Sequence, residues 1–125
     1  MTPELKVQYV CSRRDDSAIG FTIIAVEGGR LLGYYGLEFS RGLHLVHGEI
    51  ITYRRGFARG LIESAARELE SFSVERQRNF IHQVVLNTNR SRLVLPHIYK
   101  ELDYQQTPNV PESDIIRLYR GYISG

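Results

Sequence analysis

Residues 53–60, Tyr53-Arg54-Arg55-Gly56-Phe57-Ala58-Arg59-Gly60, combine types and spacing that suit binding chemistry. Three arginines fall within this stretch, and Gly56, Ala58 and Gly60 leave room for a ligand to approach the backbone. An apolar stripe at helical spacing follows at once, so the segment stands where a strand hands over to a helix. Unpaired N–H groups at a helix start, together with the helix dipole, favour an anion there. Arginine's fixed fork of donors suits phosphate or carboxylate. The chemistry expected is the cradling of a phosphate-bearing group. The plain alternative is a Gly-rich junction that serves only as a tight turn.

Other reactive side chains form weaker patterns. His44 and His47 are three apart, which places them on opposite faces of a strand. No Cys or carboxylate pattern completes a metal site around them, and no metal is expected. Cys11 has no basic motif beside it and reads as an ordinary small residue. His97, next to Pro96, reads as a cap or surface residue, and Arg13, Arg14, Arg90 and Arg92 as solvated. No Ser/His/Asp arrangement emerges from spacing.

These residues must be positioned by a small body. The chain has 125 residues, which suits one domain over 1–125. Hydrophobic residues are 42% and charged residues 24%, so it is globular rather than disordered. The 16 Lys+Arg nearly balance the 14 Asp+Glu, which argues against a nucleic-acid binder. Only Lys6 and Lys100 are lysines, so arginine dominates the basic set. Lineage bias is the bland explanation of that imbalance. No apolar run approaches the ~20 residues that span a bilayer, and Met1 to Lys6 carries no secretory pattern. One cysteine allows no internal disulfide, so a reducing, cytoplasmic setting without membrane contact is expected.

Leu5–Val10 reads as a strand followed by a polar turn at Ser12–Ser17. Phe21–Val26 and Leu31–Phe39 flank Gly28-Gly29, a hairpin signal. Leu43–Thr52 reads as a further strand, with Gly48 marking a bulge or a close backbone approach. Phe57, Leu61, Ala65 and Leu69 then recur every fourth residue, which predicts a helix over 56–72. A polar loop is expected over 73–79, a buried strand at Ile81–Leu86 and a polar turn at 87–92. One short helix over 93–102, interrupted or begun at Pro96, precedes strands at 104–107 and 114–124, with a loop at 108–113 between them. The order predicts a mixed α/β (α+β) fold. Its strand–helix–strand unit at 43–86 should give a parallel pair with a right-handed crossover.

The stretch Tyr53–Ala66, YRRGFARGLIESAA, resembles the acetyl-CoA-binding signature of the GCN5-related N-acetyltransferases, the GNAT family. That signature is Gln/Arg-x-x-Gly-x-Gly/Ala ahead of a leucine-rich amphipathic helix. Gly56 and Ala58 take the two small positions, Leu61, Ile62 and Glu63 match Leu-Leu-Glu, and Tyr53 departs at the first position. Downstream, Asn87 or Asn89 followed by His97-Ile98-Tyr99-Lys100-Glu101-Leu102-Asp103-Tyr104 is similar to the family's Asn…Leu-Tyr-Glu-Lys-Leu-Gly-Phe. Here Asp103 replaces the glycine. The resemblance covers roughly residues 18–124. The two helices that the family places between first strand and hairpin are reduced or missing, since only Cys11–Gly20 fills that interval. Small divergent members of this kind are encoded by phages.

The resemblance implies a mostly antiparallel GNAT-like sheet and transfer of an acetyl group from acetyl-CoA to an amine of a small molecule or protein. It implies cofactor binding by Ile51, Tyr53, Arg54, Arg55, Gly56, Phe57, Ala58, Arg59, Gly60 and Asn89. It also brings Arg90 and Arg92 within reach of the ribose-phosphate end. Glu49 becomes the candidate base, its pKa raised if it is buried with Ile50 and Ile51, with a surface Glu on an edge strand as the alternative. Tyr99 becomes the donor to the departing thiolate, with an anchoring aromatic as the alternative. A homodimer is compatible with this reading. The competing reading keeps the fold without catalysis, as a binding or structural protein such as a virion component or host-factor inhibitor. A third is a plain α+β domain whose two parallel strands do not splay.

Overall fold

The computed structural model of the chain describes residues 4–11, 18–39, 45–53, 56–108 and 114–124. Its strands are β1 (Glu4–Cys11), β2 (Ala18–Glu27), β3 (Arg30–Phe39), β4 (Leu45–Thr52), β5 (Phe80–Leu86), β6 (Gln105–Gln106) and β7 (Ile116–Tyr122). Its helices are α1 (Ala58–Glu75), α2 (Asn89–Val94) and α3 (Pro96–Glu101). The strands form one seven-stranded sheet in the order β1-β2-β3-β4-β5-β7-β6. Only β4 and β5 run parallel, and every other neighbouring pair is antiparallel. This is the mixed, mostly antiparallel α+β architecture expected from the sequence, with β4–α1–β5 as its parallel step.

The β2–β3 hairpin closes through Gly28 (φ 55°) and Gly29 (φ 79°). Two successive positive φ values match the right-handed twist of the flanking strands, and glycine adopts them at no steric cost. β1 pairs with β2 from Glu4↔Val26 to Cys11↔Ala18. Residues 12–17, the interval in which the resemblance implied reduced or missing helices, lie outside the described residues.

Side-chain alternation puts Phe21, Ile23 and Ala25 of β2, Tyr35 and Leu37 of β3, and Phe80, His82, Val84 and Leu86 of β5 on one buried face. The long helix covers this face with Leu61, Ile62, Ala65, Leu69 and Phe72. Phe72 stacks on Phe39 at 4.6 Å and meets Phe80 edge-on at 6.2 Å. Ile98 and Tyr99 of α3 join the same core. The opposite face leaves Ile81 (47% exposed), Val85 (49%) and Tyr119 (39%) open to solvent.

The structure differs from expectation at two places. Helix α1 runs through Ser73 to Glu75 instead of ending at Phe72. Ser73 is buried there, donating its hydroxyl to the Arg78 carbonyl at 2.8 Å and accepting the Arg78 N–H at its own carbonyl at 3.1 Å. The expected polar turn at 87–92 instead starts a helix, because Thr88 caps α2 in a reciprocal capping box with Ser91. The helix expected over 93–102 breaks at Pro96 as its sequence suggested: α2 ends at Val94, and Pro96, which cannot donate an N–H, opens α3. Arg13, Arg14, His44, Arg54 and Arg55, the turn at 12–17, residues 43–44 and the loop residues 109–113 lie outside the described residues.

Candidate functional site: a cleft between β4 and β5

The parallel pair is short. β4 and β5 pair at Leu45↔Ile81 and Val46↔His82, yet β4 continues to Thr52 and β5 to Leu86. Gly48 explains the departure locally. It lies so near β3 that a Cβ would stand 1.9 Å from the Gly36 carbonyl oxygen. β4 therefore hugs β3 as it leaves β5. This is the close approach that Gly48 suggested in the sequence.

The strands splay around a cleft of about 830 Å³. That size suits a bound small molecule, for which ~300–1,000 Å³ is usual. One wall is 49–52 of β4 and another 84–86 of β5, while α1, α2 and α3 close the end. Gly56, Ala58 and Arg59 bring the start of α1 to the cleft. That start is electrostatically bare: Phe57 at the N-cap makes no side-chain hydrogen bond, and the first turn holds no acidic residue. The first intrahelical bond is Leu61 N–H to the Phe57 carbonyl at 3.2 Å, so the N–H groups before it have no helical partner. Gly56 has φ 92°, which favours glycine, and nothing lies within 4 Å of where a Cβ would sit.

The expected site residues divide on this geometry. Ile51, Gly56, Ala58, Arg59, Glu49 and Tyr99 line the cleft. Tyr53 does not. Its side chain is 61% exposed, and its N–H extends the sheet by donating to the Leu32 carbonyl at 2.8 Å. Phe57 packs against the core, and Gly60 faces Leu5. Asn87 lines the cleft, whereas Asn89 does not and accepts a hydrogen bond from Arg92. Arg90, one of the two arginines that the resemblance brought within reach of the site, lines the cleft, as does His97, read from sequence as a cap or surface residue; Arg92 does not.

Glu49 is exposed, which fits the surface reading of this residue and not burial with Ile50 and Ile51. It pairs with Gly36 across the strands and points to the uncovered face, while Ile50 packs on the core. Tyr99 enters from the other face, 1% exposed, with its hydroxyl 2.8 Å from that of Tyr35. Burial pushes the Tyr99 pKa well above the ordinary phenol value, so it stays a protonated donor. The cleft thus passes through the sheet, with a carboxylate at one face and a phenol at the other.

Arg59 does not stand free. Its Nη1 lies 2.6 Å from Glu101 Oε2 and 3.7 Å from Glu63 Oε1. The hydrogen bond to Glu101 raises the Arg59 pKa, and its counterpart lowers that of Glu101. Tyr35 and the buried His82 behind Tyr99 escaped the sequence reading. Their signal was a polar ring at inward positions of two otherwise apolar strands. Among the described residues no cluster of His, Cys, Asp or Glu could hold a metal ion, and no helix is long and apolar enough to cross a membrane.

Neither a protein-family model nor a curated protein matches the sequence. The fold is that of the GNAT-family acetyltransferases. A GNAT-family acetyltransferase from Streptococcus pneumoniae superposes with a TM-score of 0.58 at 13% identity, over 98% of this chain and all (100%) of that one. Spermidine N-acetyltransferase from Vibrio cholerae, solved as a dodecamer, superposes with a TM-score of 0.56 at 20% identity over 85% of this chain. Its complex with CoA and spermine gives the same TM-score, 0.56, at 20% identity over 82% of this chain. The chain spans about two thirds of the length of those Vibrio proteins, 66% and 65%.

Proposed function

We propose that the chain is an acetyl-CoA-dependent N-acetyltransferase, acting over residues 1–125 as one acyltransferase domain on an amine of a small molecule or protein. The observation that carries this reading is the opening of β4 from β5 after two residue pairs, beside an uncapped helix start. The residues present fit the cofactor. Splayed strand edges offer backbone groups to an extended amide-bearing arm. The N–H groups at the start of α1, with Gly56 and Ala58 leaving space, suit a pyrophosphate, and Arg59 and Arg90 add charge.

When bound, acetyl-CoA supplies the acyl group and the thiolate leaving group. Glu49, facing solvent on the uncovered side, accepts the proton that the attacking amine must lose. Tyr99, fixed by its bond to Tyr35, donates a hydrogen bond where sulfur charge develops. The Vibrio cholerae complex with spermine makes polyamines the first acceptors to try.

Calorimetric titration with acetyl-CoA tests binding, and release of free CoA with a panel of amines tests transfer. Saturable binding with CoA release from at least one amine is expected. No binding at high acetyl-CoA concentration would sink the reading. Binding without release across the panel would favour the non-catalytic alternative.

A further inference from the structure

Five side chains form an unbroken file of hydrogen bonds on the helix-covered face. Tyr99 Oη lies 2.8 Å from Tyr35 Oη, and Tyr35 Oη lies 3.2 Å from His82 Nε2. His82 Nδ1 meets the hydroxyl of Tyr104, which lies 2.8 Å from that of Tyr122. All five are nearly sealed from water, none more than 4% exposed. The Tyr99 end opens on the cleft. The other end carries a cation: the Arg120 guanidinium lies over the Tyr122 ring, 4.5 Å from its centre. Arg120 is anchored in turn, donating to the Leu102 carbonyl at 3.0 Å and lying 4.0 Å from Glu70.

Proton counting gives this file a direction. A positive charge beside Tyr122 disfavours an O–H dipole aimed at it, so the Tyr122 oxygen turns toward Arg120 and its proton away. The Tyr122 proton must then point to Tyr104, and the Tyr104 proton to His82 Nδ1. The one proton of a neutral imidazole is left on Nε2, where it donates to Tyr35. The Tyr35 proton points to Tyr99, whose own O–H is free to donate into the cleft. The reverse direction would aim the Tyr122 proton at a cation and leave Tyr99 only an acceptor. Burial, with a smaller push from His47, lowers the His82 pKa to about 3, so the ring is neutral as the count requires.

We propose that Arg120, through Tyr122, Tyr104, His82 and Tyr35, fixes Tyr99 as a hydrogen-bond donor into the cleft. The five are positioning residues. No proton leaves the file, and aligned bonds reinforce one another in a site of low dielectric. The use of that donor rests on the acetyltransferase reading, but its direction does not.

The tautomer of His82 reports the direction. In the uniformly ¹⁵N-labelled chain, without acetyl-CoA, two-bond ¹H–¹⁵N spectra near neutral pH should show a protonated Nε2 and a bare Nδ1. A protonated Nδ1, or an imidazolium, overturns the proposal. In Arg120→Met, and likewise in Tyr122→Phe, the two ring nitrogen shifts should move toward each other as tautomers mix. An unchanged Nε2–H tautomer in a folded variant would overturn the role of Arg120, and the wild-type spectrum decides the direction whichever variant folds. Failure to bind acetyl-CoA in a separate titration would overturn the reading of the cleft and leave the tautomer result standing.

Discussion

The guanidinium of Arg59 and the carboxylate of Glu101, 2.6 Å apart, tie the first turn of α1 to the last turn of α3 at the mouth of the cleft. Any anion drawn to the start of α1 competes with Glu101 for this arginine. Glu101→Gln is therefore expected to tighten acetyl-CoA binding about two- to fivefold, the scale of an exposed ion pair. Calorimetry reads the change. Weaker binding in the variant would show that the pair orders the site instead of competing for it.

Ala58 is the small residue nearest the helix start that can be enlarged without backbone strain, because Gly56 holds a positive φ. Ala58→Leu keeps helix propensity and fills the cleft. A clash of ~1–3 kcal/mol corresponds to roughly 5–150-fold weaker acetyl-CoA binding, with the thermal unfolding of the free protein little changed. Undiminished affinity would place the ligand elsewhere.

Tyr99→Phe removes the hydroxyl that faces the cleft while keeping the ring that packs on Tyr104 at 5.1 Å. CoA release with a productive amine should slow about 10²-fold, as when one fixed donor is lost from a site of developing charge. The acetyl-CoA Kd should stay within about twofold, since the ring still packs. A large loss of affinity with an unchanged rate at saturation would make Tyr99 an anchor alone.

His82 gives acid sensitivity a definite sign. Its folded pKa is lowered to about 3 from an ordinary value of 6.5. Below about pH 6.5 the unfolded chain takes up a proton there that the folded chain refuses, so unfolding gains ground as pH falls toward 3. The contribution is at most ~1.4 kcal/mol per pH unit. Urea unfolding from pH 7 to 4 should show that slope in the wild type, and a shallower one in His82→Gln. Equal slopes in the two proteins would mean that His82 is charged in the fold.

Gly48→Ala tests what splays the strands. Its Cβ would meet the Gly36 carbonyl oxygen at 1.9 Å, backbone that cannot swing away as a side chain can. A destabilisation of ~3 kcal/mol is expected from urea unfolding. A neutral substitution would mean that β4 can separate from β3 without loss.

The sequence carried most of the scaffold because its strands are rich in β-branched and aromatic residues, and because Gly28-Gly29 and the stripe from Phe57 to Leu69 punctuate it strongly. The extra turn of α1 was hidden by Ser73, a polar residue whose hydroxyl finds a partner only after Arg78 folds back. The start of α2 was hidden because Thr88 and Ser91 read alike as turn or cap. The cleft was legible at Gly56, Ala58 and Arg59, whose meaning lies in local spacing. Tyr35 and His82 were not legible, since their partners lie 22 to 64 residues away along the chain. Asn87 and Asn89 could be told apart only once the end of β5 was placed.

The two-residue pairing of β4 with β5 has a consequence for how the molecule assembles. β1 to β4 form a meander in which each strand pairs with the next along the chain, and β5, β7 and β6 close among themselves. Each half can therefore form from contacts of modest sequence separation, the kind that fold fast. The halves then meet along a seam of two residue pairs, held shut mainly by the helix lying across it. The opening that would receive a ligand is thus a suture between two folding units, and amide exchange should find it the first line along which the sheet parts.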